Sequence, residues 1–218
     1  MPINRKKFYD NFPKSSLDNK GLTDSRKEGF EAIFDAWDKR GAGLDIGGLA
    51  YAFATAWHET GARMQPVREG FASTDDGAVK AVTAYLKKVG KPNYAARQAN
   101  GNSYYGRGYV QLTHADNYKK MGQTLGFGNA LFNEPDKVLD AEIGGDILVA
   151  GMIGGLFRPA AGKITKYFTA SVHNWFDARD LINGDKNVKL KGNPKSNGQM
   201  CADYGKGFFA ALTLASSP

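Results

Sequence analysis

From Ile46 to Trp57 the chain runs through a helix-length stretch with no charged side chain, and this constrains the fold more than any other segment. Leu49, Phe53 and Trp57 recur at helical spacing, Ala50, Ala52, Ala54 and Ala56 fill the other faces, and Gly61 lies where a helix C-cap is expected. A helix apolar on nearly every side must be wrapped by other elements, so this one is expected at the centre of the core. Polarity returns only at its end, in His58-Glu59-Thr60-Gly61.

The partners that would wrap it are also helical. Ser25 with Glu28 forms a capping-box pattern, Phe30, Ile33, Phe34 and Trp37 follow at helical spacing, and Gly41 stops the element. Val79, Val82, Leu86 and Val89 mark a third helix ending at Gly90. Tyr118, Met121 and Leu125 mark a fourth, Val138 to about Leu156 a long glycine-rich one, Val172–Ile182 another, and Met200–Leu214 the last. Tyr109–Thr113 is the most strand-like segment. Three polar, Gly/Pro-punctuated stretches, 62–77, 98–112 and 184–198, read as long loops of the kind that carry function. The expected fold class is mainly α with a few short β pieces. One catalytic domain is expected over 1–218, core roughly 25–214, with no separate binding module expected.

Glu59 closes an apolar helix, where lost solvation and the negative end of the helix dipole both disfavour its charged form, as a general acid requires. Glu69 follows in a polar loop, where a solvated carboxylate stays ionised and can act as a base on water; Asp75 and Asp76 are rivals for that part. Paired carboxylates in opposite environments are how glycosidases divide acid and base roles. Between Asn102 and Thr113 the chain combines Tyr104, Tyr105 and Tyr109 with Asn102, Arg107, Gln111 and Thr113, a vocabulary of flat rings and polar donors suited to sugars and equally to nucleic acid.

Other chemistries lack support. His58-Glu59 is not an H-E-x-x-H zinc motif, because position 62 is alanine, and His58, His114 and His173 have no ligand spacing, so no metal and no cofactor are expected. Cys201 is alone, which excludes an internal disulfide, and its place on an amphipathic helix suits a buried inert thiol. Net charge is +7, from 29 Lys+Arg against 22 Asp+Glu, but the basic residues are scattered, so nucleic acid is not an expected partner. No stretch approaches about 20 apolar residues, so stable membrane insertion is not expected. The N-terminus lacks an apolar signal run, which predicts cytoplasmic synthesis.

Taken in order, His58-Glu59-Thr60-Gly61, then Tyr104-Tyr105-Gly106-Arg107-Gly108-Tyr109-Val110-Gln111-Leu112-Thr113 with Asn117-Tyr118, then Ala178-Arg179-Asp180-Leu181-Ile182-Asn183-Gly184, resemble glycoside hydrolase family 19, the chitinases and related phage and bacterial endolysins. The resemblance implies a lysozyme-like α fold of two lobes around a central substrate cleft, and an inverting mechanism. Glu59 would be the acid and Glu69 the best match to the base, with Asp75 and Asp76 still open. Thr113 would hold the attacking water. Gln111, Tyr105, Asn117 and Asn183 fall on positions that line sugar subsites, His58 and Arg107 join the expected substrate-binding set, and Arg179 would support the charge network behind the acid. A single cysteine and the segment Met64–Glu69 resemble the endolysin branch more than the plant branch. The implied substrate is therefore the peptidoglycan glycan strand, reached after release by a holin-like route, with chitin as the alternative. A monomer is expected.

Overall fold

The computed structural model describes residues 3–216, so the ends of the expected 1–218 domain, residues 1–2 and 217–218, lie outside the described residues. Eight α-helices and two short two-stranded ladders are formed among them: α1 Arg5–Asp10, α2 Asp24–Arg40, α3 Ile46–Glu59, β1 Val67–Arg68, α4 Asp75–Lys88, β2 Arg107–Gly108, α5 Ala115–Thr124, α6 Ala130–Asn133, α7 Ala141–Gly154, β3 Phe168–Thr169, β4 Val172–His173 and α8 Asn197–Ser216. The mainly α, lysozyme-like fold class expected from the sequence is the one observed.

The helix that carries the uncharged run is central. Every residue of α3 from Gly47 to Trp57 is buried, and α3 packs chiefly along α8 while α2 packs along α7. Phe53 sits at the middle of an aromatic cluster, with ring centroids 4.9 Å from both Phe30 and Phe34 on α2, and 5.6 Å from Phe208 on α8. The short helix α1 adds Phe8, fully buried, whose ring meets Phe34 at 5.3 Å. Gly145 explains how closely α7 approaches α2: a Cβ built there would lie 2.7 Å from the Ala32 carbonyl oxygen.

A second, smaller apolar cluster stands apart from this core, made of Ala78, Val82 and Leu86 of α4 with Ala95 and Tyr105. The two clusters give the molecule its two lobes. The segments between them, 60–74 and 104–114, are where the candidate site is built.

Several local readings are corrected. The first strong helix begins one turn-residue earlier than Ser25, because Thr23 provides the cap, its hydroxyl accepting from the Arg26 N–H. The long helix expected over 138–156 is two elements, with Pro135–Leu139 forming a 3-10 turn and Asp140 capping α7. The helix expected over Val172–Ile182 is β4 followed by a 3-10 turn at Asp177–Leu181. Tyr109–Thr113 is not a strand: the chain folds back so that Arg107 and Leu112 exchange both backbone hydrogen bonds, and Gln111 takes a left-handed φ of 54°. The strand instead is Arg107–Gly108, which pairs antiparallel with Val67–Arg68 from the expected loop 62–77.

Candidate active site

Glu59 is the last helical residue of α3. The helix is stopped just beyond it by Gly61 at φ 57°, where the Gly61 N–H bonds back to the His58 carbonyl and the Ala62 N–H to the Trp57 carbonyl. A left-handed residue at this position is what glycine supplies most cheaply. The Thr60 hydroxyl donates to the Ala56 carbonyl at 2.7 Å and accepts from the Met64 N–H at 3.0 Å, so the turn carrying Glu59 is fastened on both sides.

Facing Glu59 is a cation that local sequence could not place there. Arg179, in the 3-10 turn Asp177–Leu181, is 2% exposed; its Nη1 lies 2.5 Å from Glu59 Oε1. The rest of its guanidinium is engaged by Asp185, with Nε 2.7 Å from Oδ1 and Nη2 3.0 Å from Oδ2. Asn197 at the start of α8 donates to Asp185 Oδ2 at 2.8 Å, and Asn183 does so at 3.3 Å. Burial works to raise the Asp185 carboxyl's pKa, but the Arg179 fork and the Asn197 amide outweigh it and hold the carboxyl below its usual range. Burial, with Arg179 close by, lowers the pKa of His58. Asp185 was not a sequence candidate; its only signal was a position six residues after Arg179, across the Asn183-Gly184 turn.

Glu69 is placed by the β1–β2 pairing. Its N–H donates to the Gly106 carbonyl at 2.8 Å, and the Gly106 N–H returns a bond to Glu69 Oε2 at 2.8 Å. Gly106 is needed for this fit, since a Cβ there would lie 2.8 Å from Gln111 Oε1 and 3.2 Å from Glu69 Oε2. The other carboxylate oxygen, Oε1, accepts from the Tyr94 hydroxyl at 2.5 Å. The turn bearing Glu69 is tied to the Glu59 end of α3 through Phe71. A Cβ on Gly61 would be 3.3 Å from that ring, and the Arg63 guanidinium covers it at 4.2 Å.

Asp75 and Asp76 stand differently. Asp75 is the first residue of α4, not part of a loop, and accepts from the Tyr105 hydroxyl at 2.7 Å, from Arg107 at 2.7 Å and from Arg97 at 2.6 Å. Burial opposes its ionisation, but these donors hold its pKa below the usual carboxylate range. Asp76 is exposed and paired with Arg97. Asp75 thus accepts from three donors and Asp76 stands at the surface, whereas Glu69 accepts from Tyr94 and the Gly106 N–H.

The middle motif divides into frame and surface. Tyr105 and Arg107, expected to touch substrate, are 0% and 1% exposed, a correction to that reading. Arg107 stacks on the Tyr105 ring at 3.7 Å and joins Asp75, Asp136, Tyr118 and the Ser103 carbonyl, fastening one lobe to the other. Gln111, Thr113 and Asn117 do come together, lining one cavity of about 120 Å³ with Lys120, Phe157 and Ile182. Thr113 Oγ1 donates to the Gln111 carbonyl at 2.7 Å, leaving its lone pairs for a second partner. Asn183, next to Ile182, is exposed. Cys201 is buried, its thiol pushed up to about 12 by that burial, as an inert thiol would be. Among the described residues no cluster of three or more His, Cys, Asp or Glu is arranged to hold a metal ion, and no single helix is long and apolar enough to cross a membrane.

The class I chitinase model of glycoside hydrolase family 19 matches residues 39–148, half of the chain. The chain belongs to glycoside hydrolase family 19. Within the family, residue identity is concentrated in short stretches: 57% over 35 residues, 16% of this chain, to an acidic 26 kDa endochitinase of Solanum lycopersicum, and 32% over 96 residues, 41% of this chain, to endochitinase 2 of Solanum tuberosum. These alignments span 14% and 28% of those two relatives' own lengths. Solved family 19 structures carry the same fold. Chitinase C from Streptomyces griseus HUT6037 aligns at TM-score 0.57 and 19% identity over 99% of this chain and 78% of its own. A class IV family 19 chitinase from Zea mays aligns at TM-score 0.53 and 21% identity over 96% of this chain and 94% of its own.

Proposed function

We propose that this family 19 protein hydrolyses polymers of β-1,4-linked N-acetylhexosamine by single displacement, with Glu59 as proton donor to the glycosidic oxygen, Glu69 as base and Thr113 holding the attacking water. The observation that carries this reading is the unlike setting of the two carboxylates. Glu59 closes a buried helix and faces a guanidinium whose charge is shared with Asp185, so the anion left after proton donation is received by a partner already in place. Glu69 accepts from two uncharged donors, Tyr94 and the Gly106 N–H, which orient it without neutralising it. Two carboxyl groups with different surroundings are what acid and base roles require.

Chitin-type chains are the first substrate to try, supported by the matched family description and by the Solanum relatives' names as endochitinases. Peptidoglycan is the second reading. Its support is the net charge of +7, which would favour approach to an anionic wall. Both polymers should be digested separately and the new reducing ends identified by mass spectrometry, with an anomer-resolved NMR time course. Release from chitin oligomers as the α-anomer is expected. Release of ends from peptidoglycan alone would move the substrate to the wall polymer, a β-anomeric first product would remove Glu69 from the water-activating role, and no cleavage of either polymer would end the hydrolase reading.

A further inference from the structure

We propose that Tyr94 is a positioning residue for Glu69, fixing one carboxylate oxygen while the Gly106 N–H fixes the other, so that the carboxylate is aimed at the water it activates. This deepens the hydrolase reading and rests on it. Glu69 sits on a turn of unusual backbone, followed by Gly70 at φ 69° and Phe71 at φ 56°. Backbone bonding sets where the Glu69 main chain lies, but three side-chain torsions remain free until its oxygens are held. Tyr94 supplies that hold from the smaller lobe, where it packs against the Ala78, Val82, Leu86, Ala95 and Tyr105 cluster. Its hydroxyl donates to Oε1 at 2.5 Å. Its ring meets that of His114 in a T-shaped contact, at 5.2 Å and 65° between planes, and His114 is itself set in a left-handed backbone at φ 72° with its N–H on the Tyr104 carbonyl. Both oxygens of the base are thus held, one by Gly106 in the segment between the lobes and the other by Tyr94 of the smaller lobe.

A tyrosine suits this place because it is a neutral donor. Burial and the Glu69 charge both raise the Tyr94 pKa, so its proton stays on across the working range. Other titratable groups around the pair are Tyr118, which interacts with Glu69, and Tyr85, which interacts with Tyr94; neighbouring Arg68 is engaged by Asp136.

Tyr94→Phe keeps the ring and its His114 contact and removes only the donor. On whichever glycan the wild-type enzyme cleaves, kcat should fall roughly ten- to a hundredfold, as loss of a hydrogen bond to a charged group allows, while KM stays within about twofold. The acid limb of the kcat profile should move to higher pH, because a hydrogen bond donated to a carboxylate favours its charged form. A purely structural role would lower Tm and leave that limb in place. A variant with wild-type kcat and an unmoved acid limb overturns the proposal. A second measurement needs no activity: in protein labelled with 13C at tyrosine Cζ, the Tyr94 resonance, assigned by its loss in Tyr94→Phe, should follow a carboxyl titration that disappears in Glu69→Gln. If that dependence is present and no glycan is cleaved, the contact stands and the hydrolase reading fails; if it is absent, the positioning role fails.

Discussion

The guanidinium of Arg179 lies 2.5 Å from a Glu59 oxygen and grips both oxygens of Asp185 at 2.7 and 3.0 Å, joining the end of α3 to a turn 120 residues later. Arg179 is 2% exposed, so removing it strands two carboxylates with no counter-charge. Arg179→Met should cost about 3 kcal/mol, the low end for a broken buried pair because Glu59 and Asp185 keep some solvent contact. Urea unfolding measures this, and a variant as stable as wild type would show that the pair is not a structural tie. Arg179→Lys keeps the charge but not the fork, so its stability should recover further than its activity.

Glu59→Gln retains the shape of the side chain and can still accept from Arg179, while the donated proton is lost. Hydrolysis should drop by about 10² to 10⁴ in kcat, the usual worth of a general acid. Circular dichroism and Tm should stay near wild type. Full activity in this variant would remove Glu59 from the acid role.

Gly106→Ala tests how tightly the base is built. The backbone at Gly106 is not left-handed, so the penalty is steric: the new methyl meets Gln111 Oε1 at 2.8 Å and crowds Glu69 Oε2 at 3.2 Å. We expect stability close to wild type and kcat lowered about tenfold or more by displacement of the carboxylate. Unchanged kinetics would mean that the carboxylate can shift without consequence.

Acid should loosen the molecule through Asp75 and Asp185. Both have folded pKa values below the unfolded value of 3.8, so each contributes stability at higher pH. As pH falls below 3.8 the unfolded state takes up protons first, and the contribution is gone once pH has passed the folded value. Unfolding free energy measured from about pH 5 to 2 should therefore decline most steeply at the acid end. Asp75→Asn and Asp185→Asn should each flatten that decline, and slopes identical to wild type would count against these carboxylates as the source.

Features that rest on neighbouring residues were readable. The apolar run from Ile46 to Trp57 must be wrapped whatever surrounds it, and the glycine after Thr60 stops it, so the helix and the placement of Glu59 at its end followed from local rules. The core positions of Phe30, Phe34, Phe53 and Phe208 follow from the same periodicity. Errors came where local preference was overruled. Tyr109–Thr113 has strand-like residues, yet the chain turns there because Arg107 and Leu112 satisfy one another's backbone groups. Val172–Ile182 has helical spacing, yet β3–β4 pairing takes its first residues, and His173 Nε2 is held 2.9 Å from Asp45 at the head of α3.

By itself the sequence determined a mainly helical chain around one buried helix, with a carboxylic acid at that helix's end and a polar, tyrosine-rich motif downstream. Tertiary structure decided which of these side chains meet. It turned Tyr105 and Arg107 inward to hold Asp75, brought Arg179 and Asp185 to Glu59, and set Tyr94 against Glu69. The physical reason is that hydrophobic periodicity is a property of adjacent residues, whereas ion pairs and hydrogen bonds form between side chains distant in sequence and depend on angstrom-scale placement that only the packed lobes supply.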